Sequence, residues 1–252
     1  MSKYYNPPKT RGIFNPESKE PFTLSRTGVE LFTSCPRCFY FDKKFGVARP
    51  PGFPFSLNSA VDALLKKEFD IHRAKGSRHP LVETYGIDAV PFAHEKLEEW
   101  RDSLRRGICY FHEPTNIILR GGIDDIWKNS KTGELHIVDY KATAKSTEVT
   151  LDAEWQISYK RQMEVYQWLF RHNDFKVSDI AYFVYVNGRA DKEAFDGKLE
   201  FDVKIIPYKG NADWVAESLF DIQKCLLSDK LPKASEDCDY CAYRRAVDQV
   251  EK

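Results

Sequence analysis

Two sets of residues in this sequence carry chemistry that ordinary packing does not call for. The first is Asp139-Tyr140-Lys141, with Asp124 upstream of it. Side chains alternate along an extended strand, so Asp139 and Lys141 share a face. Between Asp124 and Asp139 lies Asn129-Ser-Lys-Thr-Gly133, a turn-like stretch. A hairpin centred between Lys131 and Thr132 sets Asp124 opposite Asp139 and Gly122 opposite Lys141. Two carboxylates facing each other across a strand pair repel. Burying them is costly unless a cation lies between them. Hard oxygen ligands in that arrangement suit Mg²⁺ or Mn²⁺. A lysine on the same face would orient or help deprotonate a water, or offset the charge of a phosphate. A glycine opposite the lysine leaves room for a phosphate backbone to approach. The other reading is a surface hairpin whose Asp and Lys are solvated or paired with each other. Ile123, Ile126, Ile137 and Val138 around the charges weigh against it, because a strand apolar on both faces is a buried one.

The second set is sulfur. Of the six cysteines, four fall into two CxxC pairs, Cys35/Cys38 and Cys238/Cys241. Met1 to Thr10 has no apolar signal core, so the expectation is a soluble, cytoplasmic protein whose thiols stay reduced. Paired cysteines then read as metal ligands. Four thiolates hold either Zn²⁺ or a [4Fe–4S] cluster, and spacing alone does not choose between them. Plain burial of the thiols is the competing reading. Cys109 and Cys225 stand alone in apolar surroundings and are expected in the core.

The elements that must position these groups follow from pattern and punctuation. Residues 1 to 22 read as an extended arm, 23 to 245 as one domain and 246 to 252 as a tail. Ser25 caps a short helix ending near Ser34. From Asn58, the spacing Val61, Leu64, Leu65, Phe69 is helical. A second helix is expected over Phe92 to Leu104. Ile117 to Lys128 and Leu135 to Ala142 are strand-like, and Glu154 to Phe170 returns to helical spacing. Ile180 to Val186 and Leu199 to Ile206 are further strands, and Asp213 to Leu227 is a last helix before a loop carrying the second CxxC. Trp100, Trp155, Trp168 and Trp214 fall on expected helices and read as core residues. This order fits an α/β fold around a mixed sheet. The 38 basic and 38 acidic residues balance, so no overall basic footprint marks a polyanion partner, although a local patch is compatible with zero net charge. No apolar run is long enough to span a bilayer, so no membrane partner is expected.

Three of these segments in order resemble the RecB-like family of PD-(D/E)XK nucleases: Gly121-Gly-Ile-Asp124, Val138-Asp-Tyr-Lys141 and Gln162-x-x-x-Tyr166. The group includes the nuclease domains of recombination helicases and the nucleases of CRISPR adaptation. The opening pattern, Leu24-Ser-Arg-Thr followed by Cys35-Pro-Arg-Cys-Phe-Tyr, is also similar to the start of that family. The resemblance implies a restriction-endonuclease-like mixed sheet flanked by helices, with a cysteine-clipped region joining the two ends of the chain. It assigns metal ligation and catalysis to Asp124, Asp139 and Lys141, with Mg²⁺ or Mn²⁺ as cofactor. It places Gln162 and Tyr166 on one helical face that looks onto the site. Many members carry Gly-x-x-x-His on the first long helix. Here Asn58-Ser-Ala-Val-Asp62 stands in its place, and Asp62 is either a third metal ligand or a solvated residue. Members with an iron–sulfur cluster use one cysteine near the start and three near the end. Cys35, Cys238 and Cys241 match, the third C-terminal cysteine is missing, and Cys38 restores the count, so the resemblance favours a [4Fe–4S] cluster, with Zn²⁺ as the alternative. The implied function is metal-dependent cleavage of DNA, on single-stranded ends, in repair or defence. Without a helicase motif, unwinding would come from a helicase or other repair or defence partner. A module that kept the fold and lost the reaction, binding nucleic acid or serving as a scaffold, is the competing reading.

Overall fold

The computed structural model describes residues 5–52 and 56–251. The chain forms two compact units, one from Met1–Phe53, Cys109–Arg120 and Asp213–Lys252, the other from Pro54–Ile108 and Gly121–Ala212. It starts in the first unit with β1 (Phe22–Ser25), α1 (Arg26–Ser34) and α2 (Pro36–Phe45). The second unit begins with α3 (Ser56–Lys75), α4 (Pro80–Thr84), β2 (Ala89–Pro91) and α5 (Leu97–Arg101). The chain returns for β3 (Ile108–His112) and β4 (Ile117–Gly121), then gives the second unit β5 (Asp125–Asn129) and β6 (Leu135–Thr143). There α6 (Ile157–Arg171), β7 (Ile180–Gly188) and β8 (Phe201–Lys209) follow, before α7 (Trp214–Leu227) and α8 (Asp239–Val250) complete the first unit.

In the first unit, β1, β4 and β3 form a small sheet, with β1 parallel to β4. Ser25 caps α1 by accepting from the Gly28 amide at 3.1 Å. Pro36 opens α2, where its missing N–H goes unneeded. Gly46 closes that helix at φ 69°, a left-handed conformation that favours glycine. The N-terminal arm runs beside α2: the Lys9 amide donates to Gly46 O (2.9 Å) and the Phe14 amide to Lys43 O (2.7 Å).

The second unit is built on a five-stranded sheet ordered β2-β5-β6-β7-β8. All neighbours are antiparallel except β6 and β7, which are parallel. A parallel pair needs a crossover, and α6 supplies it. On one face, Leu65 and Phe69 of α3 pack with Trp127, Val138, Tyr140 and Val184. Asp139 alternates with Val138 and Tyr140, so it points to the other face. There Gln162 of α6 meets it, and Met163, Tyr166, Leu169 and Phe170 of that helix are buried. The result is the expected mixed α/β arrangement, a mixed sheet flanked by helices. Among the described residues, no helix is long and apolar enough to cross a membrane.

Several expectations need correction. The single strand from Ile117 to Lys128 is two, β4 and β5, in different sheets, broken at Gly122 to Asp124. The helix over Phe92 to Leu104 shrinks to α5, because the Phe92 amide donates to Ile126 O (2.9 Å) and holds the chain extended beside β5. The second CxxC lies at the start of α8 and not in a loop, with Cys238 as its N-cap residue. Leu64 is exposed on α3. Cys109 is exposed and Cys225 half-buried, so neither is the core residue expected. Trp155 is also exposed, whereas Trp100 and Trp168 are buried as expected.

Candidate active site

The β5–β6 hairpin sets the geometry. Its register pairs Asp125 with Val138 and Ile126 with Ile137, the pairing that a turn centred between Lys131 and Thr132 requires. Asp124 lies one residue before β5, at the break, and its Oδ2 accepts the Tyr140 amide at 2.9 Å. Asp139, on β6, is only 1% exposed. Its Oδ1 accepts from Gln162 Nε2 at 2.8 Å, and its Oδ2 forms an ion pair with Lys141. Gln162 also donates to the Tyr166 hydroxyl at 3.3 Å, one turn further along α6.

Burial raises the Asp139 carboxyl to about 7; the Lys141 charge opposes the shift, and the Asp124 carboxylate adds to it. Burial works against the Lys141 ammonium, yet the Asp139 and Asp124 charges outweigh it and hold its pKa above the ordinary lysine value. The same ammonium lies 4.6 Å from the centre of the Tyr159 ring.

Asp62 reaches the same place from α3. Lys66, one turn on, contacts Asp62 Oδ2 at 2.8 Å and Asp124 Oδ1 at 3.4 Å. Burial and the Asp124 charge raise the Asp62 carboxyl, with Lys66 opposing. An ammonium thus stands between two carboxylates that repel each other, the place where a cation is electrostatically favoured.

Behind the carboxylates lies a buried network. Asp125 is fully buried and takes the Tyr140 hydroxyl (2.6 Å), an ion pair from Arg73 and one from Arg101 at 3.3 Å. Arg101 grips Asp70 with two nitrogens, at 2.9 and 3.1 Å, and donates to the Asp124 backbone carbonyl at 3.1 Å. Burial and the Asp125 charge raise the Tyr140 hydroxyl far above its usual range, so it stays a proton donor.

The glycines before Asp124 serve packing. A Cβ on Gly121 would lie 2.5 Å from the Tyr166 ring, and one on Gly122 would overlap Ser103. The space beside Gly122 is therefore filled by Ser103, not left open for a phosphate.

In the first unit the two CxxC pairs meet. Cys35, Cys38, Cys238 and Cys241 are all buried, with every sulfur within 4.8 Å of the others. Cys38 Sγ lies 3.6 Å from Cys238 Sγ and 3.7 Å from Cys241 Sγ, and Cys35 Sγ lies 3.9 Å from Cys241 Sγ. Arg49 donates to Cys238 Sγ at 3.3 Å. Burial pushes the Cys241 thiol up to about 12, while Cys35 falls to about 6 because backbone amides outweigh its burial.

The sequence profile of the PD-(D/E)XK nuclease superfamily matches residues 23–246. The chain belongs to this superfamily. No curated protein sequence matches it. The crystal structure of SSO0001 is similar over 91% of this chain and 87% of its own, at 16% identity and a TM-score of 0.40. That likeness carries no functional argument.

For a PD-(D/E)XK nuclease, the second unit holds a suitable donor set. Asp62, Asp124 and Asp139 are hard oxygen donors gathered from α3, the β4–β5 break and β6. Asp139 Oδ2 carries the Lys141 ion pair but no well-aligned hydrogen bond, so a buried carboxylate oxygen has capacity left for a cation. Sequence reasoning missed Lys66, Tyr159 and the Arg73, Arg101 and Asp125 network. For α3 a signal was present: Asp62, Lys66, Asp70 and Arg73 recur at helical spacing beside Leu65 and Phe69, charged residues along an inward stripe. Arg101 left none, because Asp70 and the consecutive Asp124 and Asp125 that it holds come from two segments distant in sequence.

Proposed function

We propose that this protein is a RecB-like, Mg²⁺- or Mn²⁺-dependent deoxyribonuclease acting on single-stranded ends in DNA repair or defence, in the cytoplasm, with unwinding left to a helicase or other partner. One observation carries the reading: in a chain of this superfamily, Asp124 and the buried Asp139 come together at the end of a hairpin with Lys141 beside them. The RecB-like resemblance of Gly121-Gly-Ile-Asp124, Val138-Asp-Tyr-Lys141 and Gln162-x-x-x-Tyr166 supplies the DNA substrate.

Asp124, Asp139 and Asp62 would hold the ion. When bound, it supplies a Lewis acid for phosphodiester hydrolysis. Gln162 fixes the Asp139 carboxylate, and Tyr166 fixes Gln162. Arg101 holds the Asp124 backbone, so that carboxylate keeps its place at the break. Lys141, charged and close to Asp139, faces developing negative charge on a phosphate oxygen.

The assay is incubation of labelled single- and double-stranded DNA with Mg²⁺, Mn²⁺ or EDTA. Metal-dependent cleavage that Asp139→Ala abolishes is expected. No cleavage with either ion, or equal cleavage by the variant, overturns the reading. A binding module that has lost the reaction gains support from Lys66, which already offers both Asp62 and Asp124 a cation. DNA binding without cleavage would establish it.

The cysteine centre is proposed to hold one Zn²⁺. A tetrahedron of Zn–S bonds of about 2.3 Å has edges of about 3.8 Å, and the closest sulfurs stand 3.6 to 3.9 Å apart. A [4Fe–4S] cluster spreads its thiolates over separate irons. Elemental analysis after anaerobic purification decides: zinc supports the single ion, and iron with sulfide replaces it with the cluster.

A further inference from the structure

Beside the carboxylates, the second unit carries a cleft of about 740 Å³ whose contents the hydrolytic groups do not explain. Trp155, Tyr159, Phe195 and Leu57 line it, together with Arg189 and Lys198. Trp155 is 53% exposed and Phe195 71%. Large apolar rings held open to water together are unfavourable unless something covers them. The Trp155 and Tyr159 rings lie 5.3 Å apart at 83°, and the Lys145 ammonium lies 5.4 Å from the Trp155 ring centre.

Charge narrows the choice of cover. Among the described residues, Arg189, Lys192 and Lys198 line the cleft and no carboxylate does. Arg189 pairs with Asp191 and Lys192 with Glu200, but such surface pairs are weak and exchange readily for a phosphate. A second copy of the chain docking its own cleft by two-fold symmetry would bring like charges together. Aromatic faces with basic neighbours and no acidic lining match an unpaired polynucleotide, whose bases stack while its phosphates meet cations. Bases inside a duplex are paired and stacked on each other, so the rings would have nothing to take. The cleft also borders the residues next to the carboxylates: Ala142 and Thr143 in its wall follow Lys141 on β6, and Tyr159, another wall residue, lies under the Lys141 ammonium.

We propose that this cleft is a stacking channel for a single DNA strand, with Trp155 and Phe195 as base platforms, which delivers the backbone to Asp124 and Asp139. The proposal rests on the nuclease reading for the choice of DNA. The geometry of the cleft itself owes nothing to catalysis.

The test separates the two. Binding of a fluorescein-labelled oligothymidine about twenty nucleotides long is followed by anisotropy in EDTA, where no cleavage is expected. Trp155→Ala and Phe195→Ala are each expected to weaken binding roughly tenfold to hundredfold, and Trp155→Phe to recover most of the loss. Lys192→Ala with Lys198→Ala should flatten the salt dependence by about two units of slope. Thermal melts confirm that each variant is folded. Binding by both aromatic variants equal to wild type overturns the channel. So does tighter binding of duplex, or a wild-type dimer that Trp155→Ala dissociates. Wild-type protein that binds through Trp155 but cleaves nothing with Mg²⁺ or Mn²⁺ keeps the channel and sinks the nuclease reading. Cleavage by a protein whose binding ignores Trp155 does the reverse.

Discussion

Asp139 shows how one residue's surroundings set its chemistry. It is buried beside a second carboxylate, and Lys141 and Gln162 offset the charge. Replacing Asp124 or Asp139 by Ala should abolish metal-dependent cleavage. Lys141→Ala should slow it by about 10² to 10⁴. Single-turnover rates on labelled DNA check all three. A consequence for stability follows in the metal-free protein. The carboxyl has a folded pKa of about 7 against an ordinary 3.8. As pH rises between those values, the unfolded chain releases the proton and the folded one does not, so the folded state loses stability. Asp139→Asn removes that loss. In EDTA, the variant's stability relative to wild type should therefore grow from about pH 4 to pH 7 and then level off. Urea titrations at a series of pH values measure it, and a flat difference would show that Asp139 is ionised throughout.

At the scale of elements, the site depends on where β5 begins. The break at Gly122 to Asp124 passes the chain from one sheet to the other, and Arg101 of α5 ties the Asp124 carbonyl to Asp125 and Asp70. Asp125 is fully buried, so removing a counter-charge leaves it poorly compensated. Arg101→Ala should cost about 3 to 5 kcal/mol of stability, read from the urea midpoint. Arg101→Lys should not restore it fully, because an ammonium cannot reproduce the two-pronged grip on Asp70. A loss of cleavage without a loss of stability would mean that Arg101 acts on substrate and not through Asp124.

At the scale of the whole molecule, the cysteine centre closes a very long loop. Cys35 and Cys241 lie 206 positions apart and their sulfurs 3.9 Å apart. Bringing such distant segments together is entropically costly, and a metal that binds only the folded arrangement contributes its affinity to folding. A strong chelator, or any one of the four Cys→Ser changes, should lower the melting temperature and the metal content together. Cys225→Ser should leave metal content unchanged. Metal content and calorimetry on the same samples check this, and metal loss without any change in melting would make the site peripheral to stability.

Local pattern was enough to read some of this protein and not the rest. The alternation in Asp139-Tyr-Lys141 and the position of the turn determined the hairpin register, because side-chain period and turn centre are local properties of the chain. The Ser25 cap of α1 and the helical spacing of α3 and α6 were legible for the same reason, and the paired CxxC elements announced a shared site that the fold then assembled. Short elements were not legible: β2 has three residues and α5 five, too few for a period, and their partners elsewhere in the sheet decide them. The transfer between sheets at Gly122 was hidden because Ile117 to Leu119 and Ile126 to Trp127 are strand-like on either side of it and read as one continuous strand, and only the packing of Tyr166 and Ser103 against the two glycines shows why the chain bends there. The reach of Lys66 to Asp124, the Arg101 network and the aromatic cleft belong to the same class. Each is made by groups far apart in sequence, and only the tertiary structure brings their charges and rings within range of one another.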